Sequence, residues 1–301
     1  MNASGIVNAA QVMQRLAEEL PAELRDHLFV VGSLAAAYHH VEERVVRTKD
    51  ADLVIHPAKD VVSAARIAER LLGSEWRRKD DCYASAAAEP VGELRAIRLY
   101  PPDHDAYFIE LLNVPAGDQA AAKSWVPVEL ADGWYGLPTF EYLALAAVGR
   151  QTSEFGLDYA APCMMALANL LSHPILGVVR MSTPIGGRSI LRSAKDLGRV
   201  LALAHLAGRR ETETWPSTWR DALRQCFPDT WAARATRTGN GLRELLVDHD
   251  AFEQAWFSCD YGLLSGRDVA MDQLQATAKR LLMDAIEPLE ASAREPHVEG
   301  P

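Results

Sequence analysis

The sequence predicts an α+β fold: an N-terminal mixed sheet flanked by helices, followed by an all-helical C-terminal region. Two observations predict it. Short apolar strand-like runs alternate with helical patterns up to Leu137, and after Pro138 helical patterns dominate. The chain of 301 residues therefore divides into modules at 1–137 and 138–292, with a tail at 293–301 expected to be disordered.

The elements follow in order. Residues 7–20 place Val7, Val12, Leu16 and Leu20 at helical spacing, and Pro21 stops them. LFVVG (28–32) is a short apolar strand ending in Gly. SLAAAYHHVEE (33–43) has a helical composition, with Ser33 as its expected N-cap. ADLVIHP (51–57) is a strand closed by Pro57, and residues 58–72 form an amphipathic helix ended by Gly73. Strands are expected at 75–80, 93–100 and 106–113, with short β structure in VPVEL and around GWYG. The RRK run at 77–79 reads as an edge strand defended by charge. After Pro138, TFEYLALAAVGR, APCMMALANLLSH, SILRSAKDLGRVLALAHLAG and 268–293 carry helical patterns, and ILGVVRMST (175–183) is ambiguous.

Hydrophobic residues make up 49% and charged residues 24%, enough apolar material for a core in a soluble protein. A net charge of −10 disfavours nonspecific binding to nucleic acid or anionic membrane. Cys82, Cys163, Cys226 and Cys259 lie far apart, which argues against a zinc site or a disulfide framework and for the reducing cytoplasm. The opening MNASGIVNAA lacks the charged start and apolar block of a signal peptide, and no run reaches membrane-spanning length.

Three features of the first module carry chemistry. Val31-Gly32-Ser33 is a strand-to-helix turn, where Gly permits close backbone approach and a helix start offers N–H groups to phosphate. Asp50 and Asp52 are two apart on a strand, so both carboxylates point to one face. Glu110 interrupts the apolar strand YFIELL, where a charge needs a partner. Each feature has a plainer structural reading: a Ser-capped turn, a solvated Asp pair beside Lys49 or Arg47, and an ion pair from Glu110 to Arg95 or Arg98. Their order and spacing together favour a two-metal phosphoryl-transfer site.

Gly-Ser, a spacer, Asp-x-Asp and a third carboxylate on a later strand resemble the signature of the nucleotidyltransferase superfamily, the DNA polymerase β-like fold. The resemblance implies that Gly32 and Ser33 hold a nucleoside triphosphate, and that Asp50, Asp52 and Glu110 hold two magnesium ions. GLPTFEYLALAAVGR followed by LRSAKDLGRVLAL is similar to AbiEii/AbiGii-type toxin nucleotidyltransferases, whose Lys-Asp motif faces the triphosphate. Lys195 and Asp196 match that motif, and Arg192 lies one turn earlier. Arg188, Arg192, Lys195 and Arg199 recur at helical spacing as one cationic stripe.

The implied activity is magnesium-dependent transfer of a nucleoside monophosphate to a hydroxyl of a tRNA 3′ end or a protein side chain, in a toxin with a cognate antitoxin. The alternatives are a small-molecule acceptor such as an antibiotic, or a binding protein with a decayed site. The second is motivated by Leu143 and Arg199, which stand where the family pattern has a lysine and an acidic residue. His39 and His40 are too close in sequence for metal-ligand spacing and read as surface or stacking residues.

Overall fold

The computed structural model describes residues 5–79, 94–115 and 123–294. Cys82, residues 295–301 of the expected tail, and the predicted strand ends Asp80 and Glu93 lie outside the described residues. The fold is mixed α+β with a helical C-terminal region, as the sequence predicts. The chain forms two compact units, Met1–Ala161 and Pro162–Pro301.

The first unit opens with β1 (Ile6–Asn8) and α1 (Ala9–Glu19). Val7 belongs to the strand rather than the predicted helix, because Asn8 caps α1 by accepting the Gln11 N–H at 3.1 Å. Val12, Met13 and Leu16 fill one buried stripe of α1. Next come α2 (Ala22–Arg25), β2 (Leu28–Val30), α3 (Gly32–His40), β3 (Val45–Arg47) and β4 (Asp50–Ile55). Then follow α4 (Val61–Gly73), β5 (Arg77–Arg78), β6 (Arg98–Tyr100) and β7 (Phe108–Asn113). The hairpin β8 (Lys123–Leu130) and β9 (Gly133–Phe140) extends the expected short β structure.

Two further strands depart from the helical expectation after residue 138. Only Leu143–Ala146 is helical there (α5), and β10 (Gln151–Thr152) and β11 (Asp158–Tyr159) follow. β11 pairs in parallel with β2, in the stretch between the predicted helical segments 139–150 and 161–173. Among the described residues the main sheet has seven strands in the order β10-β11-β2-β4-β7-β6-β5. β2, β4 and β7, which carry or lead into the predicted site residues, therefore sit at its centre. β4 runs antiparallel to β2 and parallel to β7. Its Leu53, Val54 and Ile55 are fully buried, as a central strand covered on both faces requires. β5 is the charged edge strand, shorter than the predicted 75–80.

The second unit is helical: α6 (Pro162–Ser172), α7 (Arg192–Thr212), α8 (Trp215–Cys226), α9 (Trp231–Arg237), α10 (Asn240–Val247), α11 (His249–Tyr261), α12 (Met271–Leu281) and α13 (Glu287–Ser292). A π-helical turn at Leu282–Ile286 joins the last two. α7 is broken at Gly208, whose φ of 71° is not helical. Trp215, Trp219, Phe227 and Phe252 form the large buried side chains of this unit. The Trp219 indole N–H is satisfied by the Cys163 carbonyl at 2.9 Å. α7 crosses α11 closely: a Cβ on Gly198 would lie 2.7 Å from the Ala255 carbonyl oxygen. The Cys259 thiol donates to the Gly198 carbonyl at 2.9 Å, and burial pushes this thiol up to about 12. The ambiguous stretch 175–183 forms no regular strand, only an isolated bridge from Arg180 to Leu191.

Candidate active site

β2 runs directly into α3. The Val31 N–H donates to the Asp52 carbonyl at 2.9 Å, which ties the end of β2 to the start of β4. Gly32 follows with φ +72°, and a Cβ there would lie 3.0 Å from Asp52 Oδ2. Conformation and contact therefore both demand glycine. Helix α3 starts at Gly32 with Val31 as its cap, so Ser33 lies inside the first turn and is not the N-cap. The unpaired N–H groups of that turn start beside a carboxylate, where a helix also binds anions.

α3 is fixed at its far end. Arg44 lies over the Tyr38 ring at 4.3 Å and donates to Glu154 at 2.5 Å. His39 Nδ1 lies 3.3 Å from the Tyr159 hydroxyl, and the His39 and His40 rings meet edge to face.

Asp50 and Asp52 alternate with the buried Ala51, so both carboxylates leave β4 on one face. The Thr48 hydroxyl lies 2.8 Å from Asp50 Oδ1, to which it can donate. Thr48 was not among the predicted site residues; the signal that could have found it is its i, i+2 spacing to Asp50. Across the parallel β4–β7 pair, Asp50 is level with Phe108 and Asp52 with Glu110. On the other side of β7, Arg98 is level with Glu110 and its Nη2 lies 3.2 Å from Glu110 Oε1. The ion pair anticipated for Glu110 is thus present, and Arg98 supplies it. The Lys79 ammonium lies 5.5 Å from the Phe108 ring centre, which adds a second cation to this end of the sheet.

Gly32, Ser33, Asp50, Asp52 and Glu110 thus belong to three neighbouring central strands and the helix start between them. The carboxylate oxygens of Asp50, Asp52 and Glu110 do not all lie within 4.8 Å of one another; brought together, three carboxylates with no sulfur or imidazole would suit a hard cation such as magnesium. A groove of about 530 Å³ in the first unit, lined in part by Asn8, Gln11, Arg15, Asp103 and Tyr107, includes none of Gly32, Ser33, Asp50, Asp52 and Glu110. Arg15 is engaged there by two bonds to Asp103, at 2.7 and 2.8 Å. The Arg15 guanidinium holds the Asp103 carboxyl down at about 2.

Arg192 and Lys195 lie in the first turn of α7, in the second unit. Both flank the buried Asp196: Lys195 Nζ is 3.6 Å from Oδ1 and Arg192 Nε is 3.9 Å from Oδ2. His173 Nε2 completes the cluster at 2.9 Å. Burial opposes the charge on Asp196, but Lys195 and His173 outweigh it and hold the carboxyl well below the usual range. Arg188 is not on the predicted helical stripe. It closes a tight turn with Ile185, stacks over Phe257 at 4.1 Å and pairs with Glu253 at 3.3 Å.

No protein-family model matches the chain, and no curated protein does. Among solved structures, one match is the Bradyrhizobium diazoefficiens CD-NTase CdnG in complex with GTP. It is 15% identical, covers 94% of this chain and 84% of its own, and has a TM-score of 0.23. At that TM-score the likeness carries no weight for chemistry. No helix among the described residues is long and apolar enough to cross a membrane.

Proposed function

We propose that the protein is a magnesium-dependent nucleotidyltransferase that moves a nucleoside monophosphate from a nucleoside triphosphate to a hydroxyl. The observation that carries this reading is the contact of Gly32 with Asp52, while Asp52 is level with Glu110. It sets the start of α3 beside Asp52, with Asp50 on the same face of β4 and Glu110 on the neighbouring strand.

Asp50 and Asp52 would hold the metal, and Glu110 would complete the set. Bound magnesium supplies positive charge against the triphosphate and makes a nearby hydroxyl more acidic. The backbone at Gly32 and Ser33, with the Ser33 hydroxyl, binds the outer phosphates and orients the triphosphate for in-line attack. In the reaction the acceptor oxygen bonds to the α-phosphorus, and the bond to the pyrophosphate oxygen breaks. Glu110 takes the acceptor proton, and pyrophosphate leaves with the electron pair. Thr48 orients Asp50.

The resemblance to AbiEii/AbiGii-type toxins supports RNA 3′ ends and protein side chains as the first acceptors to test. The test incubates purified protein with magnesium and each α-³²P nucleoside triphosphate, with total RNA in one set and protein extract in another. Label is expected in one set and lost with Asp52→Ala. Label that persists in the variant would sink the site assignment.

A second reading is favoured by one contact. Arg98 already neutralises Glu110, as it would in a module that binds nucleotide without turning it over. Nucleotide binding without transfer, in both sets and to added small-molecule hydroxyls, would select this reading.

A further inference from the structure

The segment from His173 to Lys195 carries Arg180, Arg188, Arg192 and Lys195 and no acidic residue, within a chain of net charge −10. It forms an exposed arm of the second unit. Met181 N–H donates to the Ile190 carbonyl and Arg192 N–H to the Val179 carbonyl, each at 2.8 Å. The turn is closed between Ile185 and Arg188. Leu191 N–H anchors the returning strand to Gln254 at 2.8 Å.

This ladder leaves one edge open. Inward bonds are made at Val179 and Met181, so the N–H and C=O groups of Val178 and Arg180 face the other way. They have no hydrogen-bond partner among the described residues. The side chains beside this edge are apolar and uncovered: Ile175 is 62% exposed, Val178 89% and Val179 65%. Open edges flanked by aliphatic side chains are what proteins ordinarily blunt or cover.

Charge selects the occupant. Arg188 is paired with Glu253, and Arg192 and Lys195 flank Asp196. Arg180 bonds only to Ser189 and has no carboxylate partner among the described residues. A second copy would bring the unneutralised Arg180 of one edge towards that of the other, which like-charge repulsion disfavours. Single-stranded nucleic acid stacks on aromatic rings, whereas this edge presents valines and isoleucine.

We propose that the edge Gly177–Met181 binds an extended, acidic and aliphatic peptide segment of another protein by strand addition. Acidic side chains of the partner lie on the face of Arg180, and aliphatic ones lie on the face of Val179. Binding here is independent of the chemistry of the first unit.

Fluorescence anisotropy with the full chain tests this, using short labelled peptides that alternate Val or Ile with Glu or Asp. The comparison probes are the same peptides with Lys in place of the acids, and a single-stranded RNA. Saturable binding of the acidic set is expected, with affinity about tenfold lower for Arg180→Glu and for the Lys peptides. Val178→Pro removes an outward N–H and leaves the two ladder bonds in place, so binding is lost at an unchanged melting temperature. No saturable binding of any acidic peptide overturns the proposal, as does equal affinity for both variants. So do preferential binding of RNA, and a concentration-dependent dimer abolished by Val178→Pro.

Discussion

Asp52 and Glu110 stand level with each other on adjacent parallel strands at the centre of the sheet. Two charged carboxylates carried on one face by adjacent strands repel each other, the more so the less they are screened by solvent. Arg98 offsets part of this from the far side of β7. The residue set is therefore poised to gain from a cation.

Asp52→Asn removes one of the facing charges. The metal-free variant is expected to melt at the same or a higher temperature than wild type. Its rise in melting temperature on adding magnesium and a nucleoside triphosphate should vanish, and transfer should fall by about a hundredfold or more. Differential scanning fluorimetry and the labelled-nucleotide assay read the two effects. A variant that melts lower and still responds to magnesium would show that Asp52 is a structural acid.

Gly32→Ala forces a side chain into left-handed backbone and onto Asp52 Oδ2. The backbone cost is about 1–2 kcal/mol, and the carboxylate must move. Urea denaturation should show the loss, and transfer should drop more than the stability change explains. Ser33→Ala is the contrast, since Ser33 caps nothing: stability should hold while triphosphate affinity falls.

Arg98→Met separates the two readings of Glu110. Losing the guanidinium leaves Glu110 and Asp52 facing each other and should cost about 1–3 kcal/mol without metal. If Glu110 is a metal ligand, magnesium should restore most of that stability. A loss that magnesium leaves untouched would make Arg98–Glu110 a purely structural pair.

The Asp196 cluster makes the stability of the second unit acid-sensitive. Its carboxyl is held below the ordinary range in the folded state. The stabilisation is therefore complete above the unfolded value near pH 4 and is lost as pH falls towards the folded one. Asp196→Asn should flatten that part of the pH–stability curve and cost about 3 kcal/mol at neutral pH, because His173 and Lys195 lose their shared partner. An unchanged curve would contradict the ion cluster.

Cys259 is predicted to be inert. Its thiol is buried, bonded to Gly198 and pushed up to about 12. Ellman's reagent should label it only after global unfolding. Labelling in the native state at the rate of an exposed thiol would show that the α7–α11 crossing opens locally.

Much of this was legible in the sequence because the governing rules are local. The alternation of Asp50, Ala51 and Asp52 declares a shared face without any knowledge of neighbours. What was not legible is pairing. Nothing local says that Glu110 lies level with Asp52, or that Arg98 rather than Arg95 meets it. Ser33 was misread as a cap because a Ser before an apolar run obeys the capping rule, and the left-handed backbone of Gly32 is a tertiary fact. β10 and β11 have two residues each, too few to show any period, so their helical surroundings prevailed. Arg188 kept a helical spacing to Arg192, yet the tight turn at Ile185–Arg188 ends before α7 begins.

The parallel pairing of β11 with β2 has a consequence in time. Phe29 meets Asp158, a partner roughly 130 residues later in the chain. During synthesis Gly32, Asp52 and Glu110 all emerge well before that strand, so β2, β4 and β7 can pair while one flank of β2 is still open. The nascent unit must carry this raw edge on the ribosome until residue 159 is free. At about 5–20 residues per second, the roughly fifty residues after Glu110 take several seconds to add.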